Sequence, residues 1–190
     1  MKKLILAALC VMCVLPVTAQ QKKEVKVPAV TVNGGDFKEL AKVKINGKEQ
    51  QFVKGWNYYS GKPFKVEKGA SGTYEVTTDG CFGGGFGVPK GCPEGYDYKV
   101  TITARGKTLS LRTWSWEGYN PRTNHRRLTI PGYKLTDTYK DYSFTFPCLP
   151  KEYYVVLWVD GNKTISKIKC ELVPAAAKAE NKKKDVAAKK

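Results

Sequence analysis

Apolar and polar residues alternate along much of this chain with a period of two. Tyr96, Tyr98, Val100, Ile102 and Ala104 alternate with Asp97, Lys99, Thr101 and Thr103, which places one set of side chains on a buried face. Tyr142, Phe144 and Phe146 do the same against Ser143 and Thr145, as do Tyr74 and Val76 against Glu75 and Thr77. Residues 153–159 are continuously apolar, the pattern of a central strand. Asp160, Gly161, Asn162 and Lys163 are turn residues, since Gly and Asn tolerate positive φ. Residues 165–173 then form a last strand. Strand signals recur about every dozen residues with no long amphipathic helix, which predicts an all-β, antiparallel β-sandwich. Residues 36–42 are expected to form a short helical turn.

Within this pattern, residues 108–116 matter most. If Leu109 and Leu111 face the core, parity turns Ser110, Arg112, Trp114 and Trp116 away from it. Exposed tryptophans in line with an arginine call for a reason, and sugar rings supply one. Their C–H faces stack on indoles, while a guanidinium reaches hydroxyl, carboxylate or sulfate groups. The alternative is that this strand lies between layers and both indoles are core. Residues 117–127 follow as an expected long loop carrying Tyr119, Asn120, Arg122, Asn124, His125, Arg126 and Arg127. Tyr119, Arg122 and Arg126 are the loop candidates for the site. Trp56, Tyr58 and Tyr59 form a second aromatic group, one or more of which is expected to line the site, with Trp56 and Tyr58 carried as candidates; core packing is the competing account. The glycine-rich residues 80–95 lack the Lys-Ser ending and following helix of a phosphate loop, so they read as a disulfide-pinned surface loop and no nucleotide partner is expected.

The ends of the chain set expectations about compartment. Met1, Lys2 and Lys3 precede an apolar run over residues 4–15, then Pro16 and Val17-Thr18-Ala19, the pattern of a secretory signal peptide cut after Ala19. The run is too short to span a bilayer, so no membrane span is expected after its removal. A lipoprotein signal at Cys10 or Cys13 is not supported, because Leu9 and Met12 stand where a small residue is wanted. The expected organisation is a signal peptide over 1–19, a flexible leader over 20–27, a β-sandwich over 28–173 and a Lys/Ala-rich disordered tail over 174–190. The mature chain is thus expected to be secreted, periplasmic or on the cell surface. Its Cys81, Cys92, Cys148 and Cys170 are expected to form disulfides. The preferred pairs are Cys81–Cys92, closing a loop, and Cys148–Cys170, across a hairpin. With His125 as the only histidine and no Cys-x-x-Cys in the mature chain, zinc is not expected.

The formal charge of +16 changes the picture of partners. The signal peptide and the tail together hold six of these units, so the sandwich itself is strongly basic. Such a surface attracts polyanions, among them uronate-bearing or sulfated glycans and other anionic cell-surface polymers; a merely well-solvated surface is the bland account. Catalytic patterns are missing. No serine sits in a nucleophile elbow, and nothing in the spacing pairs Glu75, Asp79, Glu117 or Asp141 as glycosidase carboxylates.

The succession of segments resembles a known family. Asn33-Gly34-Gly35-Asp36-Phe37 resembles the opening NGDFE of the carbohydrate-binding modules found beside cellulase and xylanase domains, which have a galactose-binding-like jelly-roll fold. Gly55-Trp56-Asn57-Tyr58-Tyr59 resembles their GW strand, residues 98–106 their ARG strand, and residues 134–146 their LT-to-FxF strand. Residues 165–168 take the place of the closing IDDV. The resemblance implies a jelly roll that binds glycan on a sheet face or at its loops, without catalysis. It also implies a structural calcium held near the first strand and by the closing Asp. Here Ser166 stands at that Asp position and Asp36 remains, and the residues otherwise call for no cofactor. The leading expectation is a secreted, non-catalytic protein for an acidic or sulfated glycan. The alternatives are a structural or adhesive envelope protein with a basic surface and, further off, a small glycoside hydrolase.

Overall fold

The computed structural model describes residues 27–88, 91–117, 125–148 and 152–175. Among them there are strands and turns but no helix. The strands are β1 (Thr31–Val32), β2 (Leu40–Ile45), β3 (Lys48–Val53), β4 (Trp56–Tyr58), β5 (Phe64–Lys68), β6 (Tyr74–Thr78) and β7 (Phe82–Gly87). They continue with β8 (Tyr96–Gly106), β9 (Thr108–Glu117), β10 (His125–Lys134), β11 (Lys140–Pro147), β12 (Glu152–Asp160) and β13 (Lys163–Pro174). A front sheet runs β1-β7-β12-β9-β10, with β4 also paired to β7, and a back sheet runs β11-β8-β13-β6-β5. β2 and β3 form a separate hairpin. Every pairing is antiparallel, and the two sheets make a sandwich consistent with a jelly roll.

The core lies between the sheets and is built by alternation. Tyr98, Val100, Ile102 and Ala104 of β8 are fully buried, facing Val155, Leu157 and Val159 of β12 and Leu109 and Leu111 of β9. Each of the valine, leucine and isoleucine side chains among them contributes roughly 1.5–3 kcal/mol when taken from water. On β13 a register shift between Ile165 and Lys167 changes the phase, so that Ile165 and then Ile168, Cys170 and Leu172 all point inward.

Three expectations need correction. Residues 36–42 form no helical turn: residues 33–36 make a turn, Phe37 takes φ 52°, and β2 starts at Leu40. A positive φ stops a helix, and here it drives the Phe37 ring into the core, 6.0 Å from Trp56. The glycine-rich segment is not a surface loop either, because β7 is buried between β4 and β12. Its glycines leave room for rings on both sides. A Cβ on Gly84 would sit 2.7 Å from the Trp56 indole. Finally, the disulfide joins Cys92 to Cys148, and Cys81 and Cys170 are free. The antiparallel pairing of β11 with β8 brings the end of β11, just before Cys148, beside the start of β8, just after Cys92. The turn at residues 161–162 does not make a hairpin; it carries the chain from the front sheet to the back sheet, where Cys170 pairs with Val100 on β8.

One charged group is buried with the apolar core. Lys163 is 2% exposed, its Nζ donates to the carbonyl oxygens of Gly80 and Gly161, and it lies 5.4 Å from the Phe82 ring centre. Burial pushes its ammonium down to about 8, against the opposing charges of Asp160, Cys81 and Asp79. The unfolded chain keeps this proton up to the ordinary lysine value of 10.5. Stability from this group is therefore complete above 10.5 and lost as the pH falls through about 8. Between pH 8 and 9 the wild type is expected to gain melting temperature relative to Lys163→Met. Parallel pH dependence of the two proteins would refute this. Burial raises the Cys81 thiol to about 11 and the Tyr139 phenol to about 12, and both work in the opposite sense at higher pH in either protein.

Candidate functional site

The outer face of the front sheet carries the candidate chemistry. On β9, Leu109, Leu111, Thr113 and Ser115 point into the core, so Arg112 and Trp114 lie on the outer side. The ladders fix their neighbours. Arg112 is opposite Trp158 on β12 and Thr129 on β10, and Trp114 is opposite Val156 and Arg127. On β7, Gly83 and Gly85 lie opposite Trp158 and Val156. Their missing side chains let tyrosines lie over the strand: the Tyr59 ring passes over Gly83, and the Tyr154 hydroxyl occupies the place a Cβ of Gly85 would take.

A row of rings and guanidinium groups results. Tyr59, half exposed, stacks on Trp158 with centroids 4.4 Å apart and planes 27° apart. The Arg112 guanidinium lies 5.6 Å from the centre of the same indole. Arg112 Nε donates to Asp160 Oδ2 at 2.9 Å, and its Nη2 approaches the same oxygen at 2.9 Å and Cys81 Sγ at 3.8 Å. The Arg127 guanidinium lies 4.5 Å over the Trp114 ring. Burial, and then Tyr59, push the Tyr154 phenol above its ordinary value, which ties that ring to the same surface. Arg112, Trp114, Arg127, Thr129 and Trp158 line a shallow cavity of about 360 Å³.

The sequence candidates fall out as follows. Arg112 and Trp114 are on this face. Trp56 and Tyr58 are not: at 1% and 7% exposure they are core residues, packed on Phe37, Phe52, Phe64 and Phe82. Tyr119 and Arg122 lie outside the described residues, as do the side chains of Trp116 and Arg126. In the ladder Trp116 is paired with His125 and Tyr154, whereas Arg126 is paired with Ser115 and so is out of phase with the Arg112–Trp114 row. Residues 125–127 belong to β10 and not to a loop. Tyr59, named in the second aromatic group, and Arg127, named in the arginine-rich stretch, are on this face, whereas Tyr154 and Trp158 were not singled out from the sequence. The signal for Trp158 was its even parity with Tyr154 and Val156 beside odd Val155, Leu157 and Val159.

The residues present do not fit the implied calcium. Asp36 is exposed and paired with Lys38 at 3.2 Å. Ser166 Oγ donates to the Thr103 carbonyl at 3.5 Å. Among the described residues no group of three or more His, Cys, Asp or Glu could hold a metal ion. The carboxylates are engaged separately: Glu75 with Arg105, Asp79 with Lys62 and Asp141 with Thr103.

Comparison with known proteins places the fold. No protein-family model matches the chain, and no curated protein matches it. Among solved structures the fold resembles that of carbohydrate-binding modules. The CBM22-1 xylan-binding domain from Paenibacillus barcinonensis Xyn10C aligns over 80% of this chain and 99% of its own, with a TM-score of 0.50 and 12% identity. The Clostridium thermocellum Xyn10B CBM22-1–GH10 modules, complexed with xylohexaose, align over 67% of this chain and 28% of theirs, with a TM-score of 0.45 and 13% identity. The enzymatically active domain of bacteriophage CBA120 tailspike protein 4 aligns over 62% and 19%, with a TM-score of 0.40 and 14% identity. The chain thus spans only a small part of the last two, and those likenesses are too slight to bear weight. At 12% identity the first concerns the fold alone. Among the described residues no helix is long and apolar enough to cross a membrane.

Proposed function

We propose that the outer face of the front sheet binds carbohydrate without transforming it, that the ligand is an acidic or sulfated glycan, and that the protein acts after export. The observation that carries this reading is the alignment of Tyr59, Trp158, Arg112, Trp114 and Arg127 on one sheet face. Exposed rings cost free energy unless a partner covers them, and guanidinium groups beside rings suit a ligand that is apolar on its faces and polar at its edges. The fold likeness to a xylan-binding module and the ordered motifs near residues 33–37, 98–106 and 134–146 support a module of the cellulase- and xylanase-associated kind. The disulfide Cys92–Cys148 supports export, since such bonds persist in oxidising compartments.

A glycan array run at low and moderate salt is the test. Saturable, oligosaccharide-specific binding is expected. Tyr59→Ala and Trp158→Ala should each weaken it by roughly 1–3 kcal/mol, by analogy with aromatic stacking on bases, with little change in melting temperature. Silence across neutral and acidic glycans would overturn the reading and leave an adhesive or structural role in its place. Release of product from any polysaccharide would overturn the non-catalytic part.

A further inference from the structure

We propose that Arg127 is the residue that reads the anionic group of the ligand, and that Arg112 is a positioning residue whose charge is already met inside the protein. This rests on the reading of the front face as a glycan site. The two guanidinium groups share one cavity, but their surroundings differ.

Arg112 holds Asp160 Oδ2 through both Nε and Nη2 at 2.9 Å. A second carboxylate or a sulfate brought to this guanidinium would face the Asp160 charge at close range, and like charges so placed repel. The arrangement does something else. It fixes Arg112 beside the Trp158 indole, whose neighbour on the other flanking strand is the Tyr59 ring over Gly83. Asp160, Arg112, Trp158 and Tyr59 then form one braced row, and Arg112 serves the site by holding that row in place.

Arg127 has no such partner. It is exposed, and among the described residues no carboxylate lies within ion-pair reach of it. Its guanidinium carbon lies over the Trp114 ring, 4.5 Å from the ring centre. A contact to an indole face supplies no carboxylate to the guanidinium, so its fork of N–H donors can still take up a bidentate carboxylate or sulfate. The ladder also sets the spacing. Arg127 is two strands and two residues away from Trp158, on the order of 10 Å across the sheet and 7 Å along it. The ring that stacks at Tyr59 and the acid that meets Arg127 therefore belong to different sugars of one chain.

The experiment measures affinity for three acidic polymers, polygalacturonate, glucuronoxylan and carrageenan. Each is compared with its own carboxyl-reduced or desulfated form. Wild type is expected to bind at least one acidic member on the order of tenfold more tightly than its neutral partner, the worth of one charge-assisted contact. Arg127→Gln should bring that ratio close to one, because the acidic affinity falls by far more than the neutral affinity. Arg112→Gln should lower both affinities together with the ratio kept, and Arg112→Lys, which retains the pair with Asp160, should restore them. Melting temperatures confirm that each variant is folded. A ratio that survives Arg127→Gln, or that collapses in Arg112→Gln, overturns the assignment, as does a wild type with no acid preference in any pair. In that last case the glycan array separates the two failures. Neutral glycans bound through Tyr59 and Trp158 would keep the site and remove only the charge assignment; no binding at all would remove both.

Discussion

Trp56→Ala is expected to destabilise the protein by about 3–5 kcal/mol, the range for removing a buried aromatic side chain. The indole is 1% exposed and meets Phe37 and Phe82 edge-on at 6.0 and 5.6 Å. Its Nε1 donates to the Gly34 carbonyl at 3.2 Å, so truncation also strips a partner from that turn. Gly84 forms the floor of its slot and offers no side chain to refill the space. For a chain of this size the loss corresponds to a fall in melting temperature of roughly 10 °C or more. Urea unfolding measures the energy directly. Glycan affinity of the remaining folded protein should be unchanged, the reverse of the pattern expected for Tyr59→Ala. A Trp56→Ala protein with wild-type stability and lost binding would move this residue back into the site.

Replacing both Cys92 and Cys148 by alanine is expected to cost about 4 kcal/mol in the chain-entropy view of a cross-link, because the bond closes a long loop of the unfolded chain. The two cysteines are 56 residues apart. The same bond fixes how thiols count: unfolded without reductant, a chain that starts at Gln20 should show two reactive thiols, Cys81 and Cys170, and release two more only on reduction. Four thiols before reduction would show that the Cys92–Cys148 bond does not form. Cys81→Ser should matter far less, since Cys81 closes no loop and is only half-buried beside Arg112 and Asp160.

Where alternation was clean, the sequence was enough to place residues. The odd–even pattern at Leu109, Leu111, Arg112 and Trp114 read the faces of β9 in the sense the structure shows, and the same holds for Val100, Ile102 and Ala104 on β8. Residues 153–159 read as one apolar block because Tyr154, Val156 and Trp158 are as apolar as the core residues between them. Period two is invisible when both faces carry rings. Tyr58 and Tyr59 show the same difficulty. Adjacent in sequence, one is buried against Phe64 and the other lies on the outer surface against Trp158, and composition does not say which. β7 was missed for a different reason. Its glycines carry no propensity for a strand, and they are tolerated there because Trp56 and Tyr154 fill the space from neighbouring strands. β10 was hidden by His125, Arg126 and Arg127 at its start and Pro131 and Gly132 at its register shift.

The place of β13 bears on how the molecule can be made. It is the last strand among the described residues, yet it lies in the middle of the back sheet, paired with β8 on one side and β6 on the other. The front sheet is woven in the same way, with β12 inserted between β7 and β9. Until Lys163–Pro174 has been synthesised, β8 and β6 each present an unpaired inner edge, and Ile165 and Ile168 are absent from the layer they close. A ribosome-bound fragment therefore has no stable partial structure of this sandwich to settle into. Folding has to begin from nearly the whole chain, by bringing together segments distant in sequence, a search that for sheets of this kind takes milliseconds to seconds. Through that interval the strand edges later paired by β12 and β13 are open to other chains, so the final dozen residues of the sandwich decide both when the domain forms and how long it is exposed to misassembly.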